Sequence, residues 1–322
     1  MPSALRVCPS TPGRAQACDV LLTALAPAVW GSTYLVTTEL LPPGRPLLAS
    51  AVRALPAGLV LLAIGRRLPH GAWWWRAAVL GALNIGVFFY LLFVAAYHLP
   101  GGVAALVVAV QPMIVLLLGA VLLKEPIRPA QVTACVLGVA GVALLALTPR
   151  ADIDATGIVA GLAAAVSMAV GIVLTKLWGR PAGIGVLTFT GWQLTAGGLL
   201  LAPVTLAAEG LPTRVTAGNI AGFAYLCLIG ALLAYAVWFR GIARLPALAV
   251  SILGFASPLT ATALGYLVLG QGLTPLQLAG SAAVVASVAL AQTSQPPRAG
   301  TPADGTSSTP THDHAPAAKG KP

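Results

Sequence analysis

One charged side chain lies inside an otherwise apolar stretch of this sequence, and it is the first candidate for chemistry. Arg53 lies seven residues after the start of the apolar run 46–64. Its guanidinium is planar, permanently charged and able to donate paired hydrogen bonds, which suits recognition of a carboxylate. Alternatively, the long side chain extends to the polar end of the run and keeps its charge in water. The residue types alone leave both interpretations open.

Amide and aromatic side chains lie at similar depth in the other apolar runs. Asn84, Gln111 and Gln193 need hydrogen-bond partners there, so each either lines a cavity or bonds to a neighbouring helix. Trp30 and Tyr34 are four residues apart and share one helix face, where they either stack on a ligand or pack. The candidate binding residues are Arg53, Trp30, Tyr34, Asn84, Tyr90, Gln111, Gln193, Tyr235 and Ser257.

Two prolines and two acids complete the set of candidates. Pro112 and Pro258 lie in the middle of apolar runs, where proline removes a helix hydrogen bond, so both are predicted helix kinks. The carbonyls freed at such a kink either line a binding site or have no ligand contact. Glu39 and Glu125, at the ends of runs, are candidates for coupling or gating. No Asp or Glu lies near the middle of a run, although proton relays inside membranes usually need one.

The amino-acid composition indicates whether these groups lie in water or in a lipid bilayer. Hydrophobic residues make up 58% of the 322 positions and charged residues only 8%, whereas soluble domains carry about 25% charged residues. Apolar runs of about 20 residues recur, the length at which a helix crosses a bilayer, and they do not alternate as barrel strands do. We therefore predict an all-α, multi-pass protein of the inner or plasma membrane. Ten spans are expected, near residues 20–38, 46–64, 74–95, 101–122, 130–147, 157–175, 185–206, 218–239, 247–269 and 275–293.

The chain contains one of its segments twice. A shift of 146 positions places the segment 88–147 on 234–293 without a gap, and Pro100, Pro112 and Pro129 then fall on prolines. Less securely, a shift of 140 places Arg53 on Gln193. Five spans per repeat is an odd number, so the second repeat enters the membrane from the opposite side. Two inverted five-helix repeats of this kind are typical of secondary transporters, which bind substrate where the halves meet.

The cations set the expected orientation. With a cytoplasmic N-terminus, 14 of the 18 Lys and Arg residues lie on the cytoplasmic side, so both termini are predicted there. The net charge of +10 is then explained by topology and by anionic lipid headgroups, not by nucleic-acid binding. The expected division is a cytoplasmic segment 1–18, a first repeat 19–147, a linker 148–156, a second repeat 157–293 and a disordered cytoplasmic tail 294–322.

Several of these residues resemble a known family. The segment Trp30-Gly31-Ser32-Thr33-Tyr34 is similar to the opening motif of EamA-type members of the drug/metabolite transporter superfamily. Leu99-Pro100, Pro112 and the stretch 123–126 resemble the fourth and fifth spans of that family's repeat, and the segment 238–277 repeats the resemblance. The resemblance implies ten helices, a cavity lined by spans one, three, four, six, eight and nine, and export of small metabolites, amino acids or drugs, often against a proton gradient.

The function predicted from these features is export of small metabolites by alternating access. Proton coupling would use Glu39 or a substrate group, or the protein is a facilitator or exchanger. The alternatives are an integral membrane enzyme and a non-transporting sensor or scaffold. No P-loop is present and the cysteines lack metal-ligand spacing, so no ATPase activity, cofactor or metal is expected. The expected partners are a small-molecule substrate, the bilayer and, if coupled, protons, and the chain acts as a monomer or homodimer.

Overall fold

The computed structural model describes residues 12–99, 101–146, 154–269 and 274–293. Within these four ranges every regular element is a helix. The predicted disordered tail and most of the predicted linker lie outside the described residues. The first helix begins at Pro12, eight residues before the predicted first span.

The described residues of the first half form eight α-helices and one π-helical segment. The helices that begin at Pro46 and Pro129 start with proline, whose fixed φ and missing N–H suit the first helical position. In chain order the elements are α1 (Pro12–Gly31), α2 (Thr33–Leu40), α3 (Pro46–Gly65), α4 (Trp73–Gly81), the first π segment (Ala82–Gly86), α5 (Val87–His98), α6 (Gly101–Val108), α7 (Gln111–Leu122) and α8 (Pro129–Ala146).

In the second half, the residues that the structure describes form seven α-helices and a second π segment. Asp154 caps the first of them by accepting a hydrogen bond from the Thr156 backbone, and Thr216 and Asn219 form a capping box at the third. The elements are α9 (Ala155–Trp178), α10 (Val186–Ala208), α11 (Ala217–Cys227), the second π segment (Leu228–Leu233), α12 (Ala234–Arg244), α13 (Ala247–Leu253), α14 (Ala256–Leu269) and α15 (Pro275–Thr293).

The described helices have the lengths that a bilayer requires. Eight stretches are long and apolar enough to cross a membrane, and the apolar parts of α8 and α15, Pro129–Leu145 and Pro275–Ala291, are shorter. The chain is thus a multi-pass helical membrane protein, while the count of ten spans and the cytoplasmic position of both termini stay predictions. The eight are Gln16–Leu40, Pro46–Gly65, Trp73–His98, Val103–Leu122, Ala155–Trp178, Val186–Ala208, Ala217–Arg244 and Ala247–Val268.

Departures from regular helix recur at matching positions of the two halves. The shift of 146 places the first π segment, 82–86, on 228–232, within the second. It also places the break between α6 and α7, at residues 109–110, on 255–256, one residue from the break between α13 and α14 at 254–255. Pro112 and Pro258 follow these breaks, and neither can donate the usual hydrogen bond to the carbonyl four residues earlier. The repeat therefore extends from sequence into backbone geometry.

Small residues bring the central helices together. Gly58 on α3 lies against the Thr195 backbone of α10, and Gly198 on α10 lies against Leu55, so the two helices approach as closely as their backbones permit. Between helices in lipid, close packing and hydrogen bonds replace the hydrophobic drive that operates in water. This packing fixes α3, and with it Arg53, against the second half of the chain.

Candidate functional site

A cavity of about 90 Å³ lies between the two halves, and we call it the central cavity. Its walls come from α1, α2, α3, α5, α6, α7, α9, α12, α14 and the break between α13 and α14. Thr33, Phe88, Met168 and Trp238 are among its lining residues. Six of the predicted binding residues also line it: Trp30, Tyr34, Arg53, Gln111, Tyr235 and Ser257.

Arg53 is buried in the wall of the central cavity, with only 2% of its surface exposed. Its Nη2 donates to the carbonyl of Gly230 at 3.1 Å, and its Nη1 donates to Thr33 Oγ1 at 3.4 Å. The guanidinium carbon lies 4.6 Å from the ring centre of Phe89, a cation–π contact. The side chain is directed into the bundle.

The charge of Arg53 is incompletely compensated. Its Nε is buried and has no hydrogen-bond partner, and none of the ion pairs among the described residues includes Arg53. A buried charge is costly unless it is paired and fully hydrogen-bonded. The wall of the cavity therefore presents a positive group that an anion would satisfy.

The carbonyl of Gly230 connects Arg53 to the aromatic wall. Besides Arg53, it accepts a hydrogen bond from Trp30 Nε1 at 2.9 Å. The Trp30 ring contacts Tyr235 at 4.8 Å and Trp238 at 5.0 Å between centroids. Gly230 belongs to the second π segment, and segments of this kind occur frequently at functional sites.

The predicted amides Asn84 and Gln193 bond to each other and do not line the central cavity. Asn84 Nδ2 donates to Gln193 Oε1 at 2.8 Å and to Thr175 Oγ1 at 3.2 Å. Both amide side chains are fully buried. Asn84 occupies space that is open because Gly171 on α9 has no side chain. This cluster joins α10 to the first π segment.

The remaining candidates lie at other places. Tyr90 is 38% exposed on the outside of α5, and Glu39 is exposed near the end of α2; neither is among the residues that line the central cavity. Glu125 lines a separate pocket of about 180 Å³. Pro112 and Pro258 line a cavity of about 60 Å³ that shares Gln111 and Ser257 with the central cavity.

Three aromatic rings in contact with each other lie at one end of the central cavity. They belong to Tyr235, Phe239 and Phe189, and we call them the aromatic plug. Ring centroids are 5.8 Å apart for Tyr235 and Phe239, and 6.3 Å apart for Phe239 and Phe189. All three residues are buried. Such tilted and edge-on arrangements are the favourable ones for aromatic pairs, so the plug is a well-packed barrier.

Sequence reasoning missed two features of this site. The first is Gly230, although the shift of 146 aligns it with Asn84 and could have marked it. The second is Asp19, whose Oδ1 accepts hydrogen bonds from Arg240 Nη2 at 2.6 Å and from Arg244 Nη1 at 3.0 Å. No local sequence signal connects residues more than two hundred positions apart, so this ion pair was found only in the structure.

Comparison with known proteins decides the family. The model of the EamA-like transporter family matches residues 19–147 and again residues 155–293. This chain belongs to the EamA-like transporter family. The family resemblance seen in the motifs is thereby confirmed, and the chain is a membrane transporter.

Three individual relatives match this chain over most of its length. The chain is 52% identical over 267 residues to protein PecM of Dickeya dadantii, covering 83% of this chain and 90% of PecM. It is 30% identical over 248 residues to a probable terminal-alkyne amino-acid exporter of Streptantibioticus cattleyicolor, covering 76% and 81%. It is 28% identical over 270 residues to the uncharacterized inner membrane transporter YedA of Escherichia coli, covering 81% and 86%.

A solved crystal structure has the same fold. It superposes with a TM-score of 0.73 at 21% sequence identity, covering 86% of this chain and 97% of that chain. At this identity the similarity concerns the fold alone.

Proposed function

We propose that this EamA-like transporter is a secondary exporter of small carboxylate-bearing metabolites, with amino acids and their analogues foremost. The observation that carries the proposal is the buried Arg53, which faces the central cavity without a carboxylate partner among the described residues. A substrate carboxylate would accept hydrogen bonds from the guanidinium, including its unpartnered Nε.

The other residues that line the central cavity suit the parts of such a substrate that lie beyond its carboxylate. Trp30, Phe88 and Trp238 offer aromatic surface for an apolar body, and Gln111 and Ser257 offer polar groups for a second substituent. Binding sites for small molecules are typically apolar with a few well-placed polar groups. The relative named as an amino-acid exporter supports this substrate class.

Transport would proceed by alternating access between two inverted five-helix repeats, 19–147 and 157–293. In this proposal a linker at 148–156 joins the repeats, while the segment 1–18 and the tail 294–322 lie in the cytoplasm. The aromatic plug would close the pathway on one side of the bound substrate. The matching helix breaks before Pro112 and Pro258 are the proposed hinges, because a missing helix hydrogen bond makes bending easier there.

The substrate class is tested by counterflow in proteoliposomes with three compounds of similar size. They are 3-phenylpropionate, phenylalanine and phenethylamine, and empty liposomes provide the background. We expect exchange of the first two, which carry a carboxylate, and none of phenethylamine, which does not. Exchange of phenethylamine at a rate equal to that of phenylalanine would contradict a carboxylate requirement. No exchange of any of the three would leave the proposed substrate class without support.

Proton coupling is a separate proposal, and it would use Glu39 or a substrate group. Glu39 is exposed near the end of α2. Asp19, by contrast, is 3% exposed, and its ion pairs with Arg240 and Arg244 join α1 to α12. We propose that coupling acts at Glu39, while Asp19 holds these two helices together.

A pH gradient tests this link. We expect the gradient to drive net accumulation of 3-phenylpropionate above that of empty liposomes in wild-type liposomes and not in Glu39→Gln liposomes, while counterflow without a gradient persists in both. Counterflow is the control for folding. Equal gradient dependence in the two proteins, or none above empty liposomes in the wild type, would rule out coupling through Glu39.

A further inference from the structure

A second cavity lies beyond the aromatic plug, and we call it the vestibule. Its volume is about 350 Å³. Phe189 and Phe239 of the plug line it, whereas Tyr235 of the plug lines the central cavity, so the plug separates the two spaces. Lys176 and Arg180, at the end of α9 and just beyond it, also line this space and bring two positive charges to it.

Two residues that line the vestibule occupy the same repeat positions as two residues that line the central cavity. The shift of 146 places Phe93 on Phe239 and Ala96 on Ile242. Phe93 and Ala96 line the central cavity, and Phe239 and Ile242 line the vestibule. Two positions of the repeat therefore line the central cavity in the first half and the vestibule in the second half.

The two spaces also share their chemistry. Each combines aromatic walls with guanidinium or ammonium groups, and neither has an Asp or Glu among the described residues that line it. An apolar body with an anionic group satisfies both kinds of wall, because the rings accept the body and the cations accept the charge. A cationic or purely polar molecule would match neither.

We propose that the vestibule is a second binding site, specific for amphipathic organic anions, which holds the substrate on the far side of the plug from Arg53. The proposal rests on the proposed function, since it assigns the same substrate class to both sites. Lys176 and Arg180 provide the charge recognition, and Phe189 and Phe239 provide the apolar surface. Opening of the plug would then transfer the ligand between two sites of like chemistry.

The test uses a reporter cysteine in each cavity of the full-length protein in nanodiscs. Ala243→Cys lies in the vestibule and Ala96→Cys lies in the central cavity. Alkylation of each is followed by peptide mass, with 3-phenylpropionate or phenethylamine as the probe ligand. We expect 3-phenylpropionate to slow alkylation at both positions and phenethylamine to slow neither.

Charge variants then separate the two sites. In an Arg53→Gln background, protection at Ala243→Cys should persist while protection at Ala96→Cys is lost. The double variant Lys176→Gln, Arg180→Gln should require about tenfold more 3-phenylpropionate to protect Ala243→Cys, since each partly exposed charge contact contributes about a factor of three. Added salt should weaken protection of the vestibule, because exposed charge contacts are screened.

A matched control decides whether the two cations act locally. Arg66→Gln, Lys124→Gln removes the same charge from exposed residues outside the vestibule lining and should leave protection unchanged. Protection at Ala243→Cys that is absent, equal with phenethylamine, or equally weakened by this control would overturn the vestibule site. Loss of protection at Ala243→Cys in Arg53→Gln would also overturn it, because the vestibule would then not bind independently. Absent counterflow in the transport assay counts instead against the proposed function.

Discussion

Two clusters at equivalent positions of the repeats differ in charge and in space. In one, Arg53 on α3 donates to the carbonyl of Gly230 in the second π segment at 3.1 Å. In the other, Gln193 on α10 accepts from Asn84 in the first π segment at 2.8 Å. Shifts of 140 and 146 relate Arg53 to Gln193 and Asn84 to Gly230. Each cluster thus joins a helix of one half to the π segment of the other.

The difference shows how one framework produces two kinds of contact. At Gly230 the backbone carbonyl accepts hydrogen bonds from Arg53 and Trp30, which line the central cavity, and no side chain fills the space beside it. At Asn84 a side chain fills the matching position and pairs with a neutral amide. The first cluster therefore keeps a charge and an open space for a ligand, and the second closes the bundle.

The largest effect should come from introducing an arginine into the cluster formed by Asn84 and Gln193. We expect Gln193→Arg to destabilise the fold by about 3–5 kcal/mol, the cost of a buried charge without a partner. The measurement is the melting temperature and the monodisperse yield in detergent. The reciprocal change Arg53→Gln is the control and should melt near the wild type. A Gln193→Arg protein as stable as Arg53→Gln would show that the clusters do not differ as described.

A matched pair of glycines gives an intermediate effect. A methyl group at Gly171 would collide with the Asn84 amide, whereas one at Gly230 would meet its nearest neighbour, Arg53 Nη2, at 3.7 Å. We expect Gly171→Ala to lower the free energy of unfolding by about 1–3 kcal/mol through overpacking, and Gly230→Ala to change it by about 0.5 kcal/mol or less. Chemical denaturation measures both. Equal effects of the two substitutions would contradict the conclusion that the space around Asn84 is filled while the space around Gly230 is open.

The smallest effect concerns a contact between His98, the last residue of a span, and Asp154, which lies just before the span Ala155–Trp178. His98 Nδ1 lies 2.6 Å from Asp154 Oδ2. The hydrogen bond from the His98 side chain, followed by that from the Thr156 backbone, holds the pKa of Asp154 below its usual value. Because folding lowers the pKa of Asp154, the charge of Asp154 stabilises the fold at pH values above the usual carboxyl pKa. This contribution is lost as the pH falls through the lowered pKa.

Asp154→Asn tests this contact, because asparagine caps a helix equally well but carries no charge. We expect the wild type to melt slightly higher than Asp154→Asn at neutral pH. The difference should begin to shrink as the pH falls below about 4, near the usual carboxyl pKa, and should disappear only below the lowered pKa of Asp154. A difference in melting temperature that stays constant down to pH 3 would show that the Asp154 charge contributes nothing.

Much of the helical layout followed from the sequence, because a bilayer demands long apolar helices whatever their tertiary contacts. Arg53 was found for a related reason, since a charge inside such a run needs an explanation. Trp30, Tyr34 and Gln111 were placed in a ligand site on the same argument about mid-depth polar and aromatic groups, and they line the central cavity.

Features that depend on helix rotation or distant partners did not follow from the sequence. Tyr90 has the same depth as Phe89, but Phe89 and Phe93 face the core and direct Tyr90 outward. The pairing of Asn84 with Gln193 depends on how two distant helices pack, which no local pattern encodes. The π segments arise from a change in hydrogen-bond register and have no compositional signature.

The central claim is that Arg53 binds a substrate carboxylate, and one measurement tests it most directly. It is counterflow of 3-phenylpropionate and of its neutral analogue 3-phenylpropanol in proteoliposomes containing wild type, Arg53→Lys or Arg53→Gln. Because hydrogen bonds to charged groups contribute about 1.5–3 kcal/mol, we expect Arg53→Gln to reduce carboxylate exchange by roughly ten- to a hundredfold. Exchange of 3-phenylpropanol, if any, should not change, and Arg53→Lys should restore part of the loss. Wild-type exchange of 3-phenylpropionate by a folded Arg53→Gln protein would contradict the claim.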